Sequence, residues 1–137
     1  MRNWEQLFAK TENSGVYSIP ENAIPNVSKA AAQAGLALLY LNLADINEKA
    51  GFLDAAAKAL QFPHYFASNW DAFEDCLTDL SWLEARGYFL VVQNPGDFSH
   101  KAPKEMSMVR TILRDAAAYW KRNNVRFFVG LAEETQG

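Results

Sequence analysis

Three apolar runs, Leu36–Leu43 (LALLYLNL), Tyr88–Gln93 (YFLVVQ) and Val125–Leu131 (VRFFVGL), constrain the fold of this chain more than any other feature. They are largely continuous in hydrophobicity rather than alternating, the pattern of strands covered on both faces. Between them lie segments with apolar residues at helical spacing. Asn47–Leu60 carries Ala50, Leu53, Ala57 and Leu60, and Trp70–Leu80 carries Trp70, Phe73, Leu77 and Leu80. Lys104–Arg122 carries Met106, Val109, Leu113, Ala117 and Trp120. Connections this long favour parallel strands joined by right-handed crossovers. The order strand, helix, helix, strand, helix, strand predicts an α/β fold, a small three-stranded parallel sheet packed with helices.

The first 35 residues are less regular, because Gly15, Pro20 and Pro25 interrupt any period. Val27–Ala34 is compatible with a short helix and Val16–Ile19 with an added edge strand, while Trp4, Leu7 and Phe8 offer apolar surface for packing. The expected organisation is an N-terminal extension, residues 1–35, packed on a domain spanning residues 36–137. With 137 residues the chain is long enough to bury roughly two thirds of its unfolded surface without disulfides or metals. No internal repeat or low-complexity tract is present.

Half the residues are hydrophobic and 21% are charged, the balance of a folded chain rather than a disordered one. Cys76 is the single cysteine, which excludes an internal disulfide, and no basic segment followed by an apolar run serves as a secretion signal. A cytoplasmic monomer is therefore expected. No apolar stretch approaches the roughly 20 residues of a membrane span, and a net charge of −3 without a Lys/Arg cluster argues against direct binding to nucleic acid or an anionic membrane.

The negative charge is local. Between Ala59 and Ala85 there are five acids (Asp71, Glu74, Asp75, Asp79 and Glu84) and no Lys or Arg, whereas the remaining residues hold 11 acids against 13 bases. Four of the five fall in the predicted helix Trp70–Leu80, on the side opposite Trp70, Phe73, Leu77 and Leu80. Acids three or four apart on a helix repel by about 0.2–0.5 kcal/mol per pair, as Asp71/Asp75, Asp75/Asp79 and Asp71/Glu74 must. Asp71 has a local explanation, since a carboxylate in the first turn favours the positive end of the helix dipole behind a Ser68 or Asn69 cap. Asp79, near the predicted helix end, is opposed by the dipole. An amphipathic helix with a solvated face accounts for such a pattern in general; a basic protein partner accounts for this concentration of charge.

The preceding loop, Phe62-Pro63-His64-Tyr65-Phe66-Ala67-Ser68-Asn69, is aromatic and stiffened by Pro63. Phe66 is expected to cover the sheet edge, and Tyr65 either does the same or contacts a partner. Elsewhere the chemistry is sparse. Cys76 lies on the apolar side of its helix without a nearby cation, as a buried inert thiol does. His64 and His100 are isolated, no metal-binding spacing of His and Cys occurs, and Gly-rich phosphate loops are absent, so neither metal nor cofactor is expected. Asn94-Pro95-Gly96-Asp97 reads as a turn.

Phe62–Thr78 resembles the loop and second helix of the barstar family, bacterial intracellular inhibitors of the ribonuclease barnase. Pro63, Tyr65, Asn69, Asp71, Ala72 and the run Asp75-Cys76-Leu77-Thr78 match without a gap, and Leu113-Arg114-Asp115-Ala116 is similar to that family's Phe-Arg-Glu-Ala. The likeness extends over roughly Leu36 to Leu131, strongest in the acidic helix and mostly topological elsewhere. It implies a non-enzymatic inhibitor whose acidic helix plugs a ribonuclease active site. Asp75 would stand where the substrate phosphate sits among Arg, Lys and His side chains, Asp71 would meet a neighbouring cation, Tyr65 would lie against the catalytic His, and Asp115 would add a charge pair. A carboxylate accepts the same charge-assisted, often bidentate, hydrogen bonds as a phosphate. The candidate partner surface is therefore Tyr65, Asn69, Asp71, Glu74, Asp75 and Asp115, facing a ribonuclease or a related basic toxin.

The sequence departs from that family at four places. Glu74 replaces an interface aromatic, Ala67 replaces a glycine, Tyr119 replaces a second acid beyond Asp115, and the N-terminal 35 residues have no counterpart. These departures bear on which partner is bound, and two other readings stand beside the inhibitor. One is a barstar-fold module that binds a different protein; the other is an enzyme using Asp71 and Asp75 as paired carboxylates.

Overall fold

A computed structural model describes residues 3–133. Residues 134–137, the end of the expected 36–137 domain, lie outside the described residues. Four strands, β1 (Gly15–Pro20), β2 (Ala37–Asn42), β3 (Gly87–Gln93) and β4 (Arg126–Glu133), form one sheet in the order β1-β4-β3-β2, every neighbouring pair parallel. The helices are α1 (Trp4–Phe8), α2 (Ile24–Gln33), α3 (Lys49–Ala59), α4 (Trp70–Leu77), α5 (Gly96–Lys101) and α6 (Pro103–Arg122).

The sheet has four strands, not the three expected from the apolar runs. β2, β3 and β4 coincide with those runs, and β3 is buried through its first six residues because both its faces are covered. β1 lies at an edge, only Ile19 in it is buried, and it ends in Pro20, so it lacks the unbroken apolar run that marks a central strand.

Alternation along the strands divides the core in two. Leu39, Leu41, Leu90, Val92, Phe127 and Val129 point to the face covered by α3, α4 and α6. Phe89, Val91 and Phe128 point to the other, where Phe8, Val27 and Ala31 meet them. The steps from β2 to β3 and from β3 to β4 run toward β1 over the first face. The step from β1 to β2 crosses the whole sheet in the opposite direction, through α2 on the second face. Reversing both direction and face preserves handedness, so all three crossovers share one hand, as the rule for parallel strands requires.

The N-terminal segment is bound to the sheet by backbone and side-chain contacts alike. Gly130 in β4 leaves room for it: a Cβ there would collide with Ile19 Cδ1 and stand 3.1 Å from the Phe89 ring. Arg126 Nη1 donates to the carbonyls of Phe8 (3.0 Å) and Ala34 (2.9 Å), tying the C-terminal ends of α1 and α2 to the start of β4. A cation there also complements the negative ends of both helices. Gly35, with φ of +83°, turns the chain out of α2 toward β2.

Candidate protein-binding site

The acidic helix is set in place by its own first turn and by its apolar face. Asn69 is the N-cap, its Oδ1 accepting from Ala72 N at 2.7 Å, after Ser68 takes a left-handed φ of 49°. That assignment engages the Asn69 oxygen within the chain. Phe73, Cys76 and Leu77 are buried beneath the helix, and Trp70 packs on Phe52 with Lys49 Nζ 5.4 Å from its ring centre, within cation–π range. The helix ends at Leu77, a turn earlier than the Trp70–Leu80 expected. Thr78 explains the early stop: its hydroxyl donates back to the carbonyl of Glu74 at 2.9 Å, and Leu80 takes a left-handed φ of 51°. Asp79 is thus beyond the helix rather than in its last turn.

The loop divides as its residue types suggest. Phe66 is half-buried and packs on Phe62 (5.0 Å between ring centres), which also meets Phe73 and Trp82. Tyr65 turns outward and is 65% exposed.

Asp71, Asp75 and Asp115 are exposed and Glu74 is half-buried. None of them is paired within the molecule: among the described residues the only ion pair within 4 Å joins Lys10 and Glu12. The N-terminal segment does not cover them either, because it packs on the opposite face of the sheet. Glu74 and Asp75 of α4, with Thr78 just beyond its end, face Asp115, Tyr119 and Arg122 of α6 across an open groove of about 360 Å³. Tyr65, Asn69 and Asp71 lie outside that groove, on the loop and first turn leading to it. Sequence reasoning missed Arg122; its position seven residues after Asp115, on the same face of α6, was the available signal.

Other chemistry is limited. Among the described residues no three His, Cys, Asp or Glu side chains are grouped to hold a metal ion. Burial, with smaller contributions from Asp79 and Asp75, pushes the Cys76 thiol above its usual range, which keeps it protonated and unreactive at neutral pH. No described helix is long and apolar enough to cross a membrane.

An acidic helix capped by Asn69, with an aromatic loop before it and β-strands on either side in the chain, has a counterpart among known families. The family model described as Barstar (barnase inhibitor) matches residues 36–132. The chain belongs to the barstar family. No curated protein matches it. The barstar match takes in β2, β3, β4 and all the helices of the first sheet face, and leaves α1, β1 and α2 outside it. Barstar-family membership points to a protein partner and to inhibition rather than catalysis as the family's business.

Proposed function

We propose that the protein is a stoichiometric inhibitor, or immunity protein, of a ribonuclease, and that it acts without catalysing a reaction. The observation that carries this reading is the set of exposed carboxylates, Asp71 and Asp75 on α4 and Asp115 on α6, left without an ion pair among the described residues inside the stretch that matches the barstar family. Unpaired exposed acids within one patch raise the local potential and steer a basic partner toward it. The barnase–barstar pair is itself the reference case for such steering.

Asp75 is the anchor, its carboxylate taking the place of a substrate phosphate among the nuclease's cationic side chains. Asp71 and Glu74 are its charged neighbours, Tyr65 the aromatic contact, Asn69 the cap that fixes their helix, and Asp115 the contribution of α6. The N-terminal extension, residues 1–35, is packed on the 36–137 inhibitor domain and takes no part in the contact: its strand β1 adds an edge to the sheet beside β4, and α1 and α2 cover the face opposite the acidic groove. The protein acts as a monomer in the cytoplasm of a bacterium.

The test is titration of an RNA-cleavage assay with the purified protein, using the nuclease retained from the native organism on immobilised protein. Activity should fall to zero at one equivalent. A retained nuclease that still cleaves RNA at tenfold excess of the protein rejects inhibition, and the same endpoint with Asp75→Ala removes Asp75 from the anchor role.

A further inference from the structure

The face of α6 that borders the acidic groove is not uniformly acidic. Asp115, Tyr119 and Arg122 stand at positions i, i+4 and i+7, so they form one stripe along the helix. Asp115, Tyr119 and Arg122 are all exposed, and Tyr119 is held edge-on to Trp120 at 5.3 Å. Three carboxylates share the groove with Arg122, yet none lies within ion-pair distance of its guanidinium, and among the described residues no side-chain hydrogen bond holds it. An arginine beside so much unpaired negative charge has five N–H donors free for something outside the chain.

We propose that Arg122 is a specificity-determining residue: it selects a partner that places a carboxylate at the rim of its own basic site. The proposal rests on the inhibitor reading and narrows it, from a basic nuclease to one whose basic cleft has an acidic edge on the side facing the end of α6. Net charge and local complementarity make opposite predictions here. If charge alone governed binding, removing a cation near the acidic patch would strengthen attraction to a basic partner. A partner carboxylate opposite Arg122 reverses that sign, because Arg binds carboxylates bidentately and a like charge in its place repels them.

The experiment uses the full chain and the nuclease retained on it, identified by its RNA-cleaving activity, and measures dissociation constants for Arg122→Glu, Arg122→Gln and Lys121→Glu. Lys121 is exposed, adjacent in the chain and outside the groove, so its replacement changes net charge as Arg122→Glu does without touching the stripe. Arg122→Glu should weaken binding about tenfold, the loss of one exposed pair and its replacement by a repulsion, and the effect should shrink toward 0.5 M salt, an ionic strength of order 0.5 M being enough to screen it. Arg122→Gln should weaken it by a smaller factor, and Lys121→Glu should leave it unchanged or tighten it. Thermal unfolding of each variant by circular dichroism verifies that the fold is intact. If Arg122→Glu binds as tightly as the unaltered protein or more tightly, the selectivity proposal is wrong while the inhibitor reading survives. If no RNA-cleaving protein is retained at all, both fall together.

Discussion

The indole N–H of Trp120 donates to the carbonyl of Leu77 at 3.0 Å, joining the last turn of α6 to the last residue of α4. The bond answers one of the carbonyls that a helix leaves unpaired at its C-terminus. Trp120 is fixed in turn by Phe127, stacked at 15° with ring centres 6.4 Å apart, and by Tyr88 at 5.9 Å. Asp75 precedes Leu77 by two residues and Asp115 precedes Trp120 by five, so this hydrogen bond ties together the two helices that carry the acids on the two sides of the groove.

Replacing Trp120 with Phe keeps an aromatic ring and removes the donor. The buried Leu77 carbonyl is then unsatisfied, a loss of about 1–3 kcal/mol. Urea unfolding should show a lower midpoint with an unchanged slope, since the fold and its buried surface are retained. Partner binding should weaken in step with the looser groove, whereas a variant of equal instability elsewhere in the sheet should leave affinity alone.

Asp75 and Asp79 separate a placed carboxylate from a merely nearby one. Both are exposed acids of the same segment, but α4 ends at Leu77, so Asp75 borders the groove and Asp79 does not. Asp75→Asn should cost at least about 2 kcal/mol of binding, the threshold for a central desolvated contact, a scale on which barstar is again a reference case. Asp79→Asn should cost less than about 0.5 kcal/mol, as an exposed rim charge does. Titration calorimetry against the retained nuclease distinguishes the two, and equal losses would show that only total charge matters.

Arg126 predicts a stability effect without a binding effect. Its guanidinium, half-buried, satisfies carbonyls at the ends of both α1 and α2. Arg126→Ala leaves both without that donor and should destabilise the protein by about 2 kcal/mol, in the range of hydrogen bonds to a charged group. Amide hydrogen exchange should show α1 opening first, because it is the shortest element held there. Arg86→Ala, at an exposed position with no hydrogen bond, should change stability by less than about 0.5 kcal/mol.

The parts of the fold legible in the sequence are those whose residues are buried on all sides. β3 reads as a strand because Tyr88–Val92 is apolar on both faces, and α6 because Met106, Val109, Leu113, Ala117 and Trp120 keep helical spacing over about four turns. β1 is legible only as the edge-strand candidate Val16–Ile19, since Ile19 alone in it is buried; α5 is not legible, because it is short and half-exposed and begins inside a Pro-Gly turn signal, with Asn94 at a φ of 52°. The end of α4 is not legible, because Leu80 is buried at the spacing of a helical residue although its backbone has left the helix. At the site, the acids are visible from charge alone. Their freedom from internal cations is not, since Lys49 sits over the Trp70 indole, 5.4 Å from its ring centre, rather than on a carboxylate.

Alkaline pH should weaken the fold through two groups. Burial first, then Asp79 and Asp75, raise the Cys76 thiol, and burial first, then Glu84, raise the Tyr88 phenol, whose hydroxyl donates to the Leu83 carbonyl at 2.6 Å. In both cases the folded state holds its proton to higher pH than the unfolded chain does. Below the unfolded values, about 8.5 for a thiol and about 10 for a phenol, both states are protonated and the contribution to stability is constant. Above them the unfolded chain binds fewer protons than the native one, the slope of unfolding free energy with pH turns negative, and stability is lost as pH rises toward the folded values. Urea midpoints measured from pH 7 to 10.5 should therefore fall above about pH 8.5, and Cys76→Ala should delay the onset of that fall to the phenol range. The same burial makes the thiol slow toward iodoacetamide in the native protein and fast in urea; rapid alkylation of the folded protein at pH 8 would show that Cys76 is neither enclosed nor held protonated.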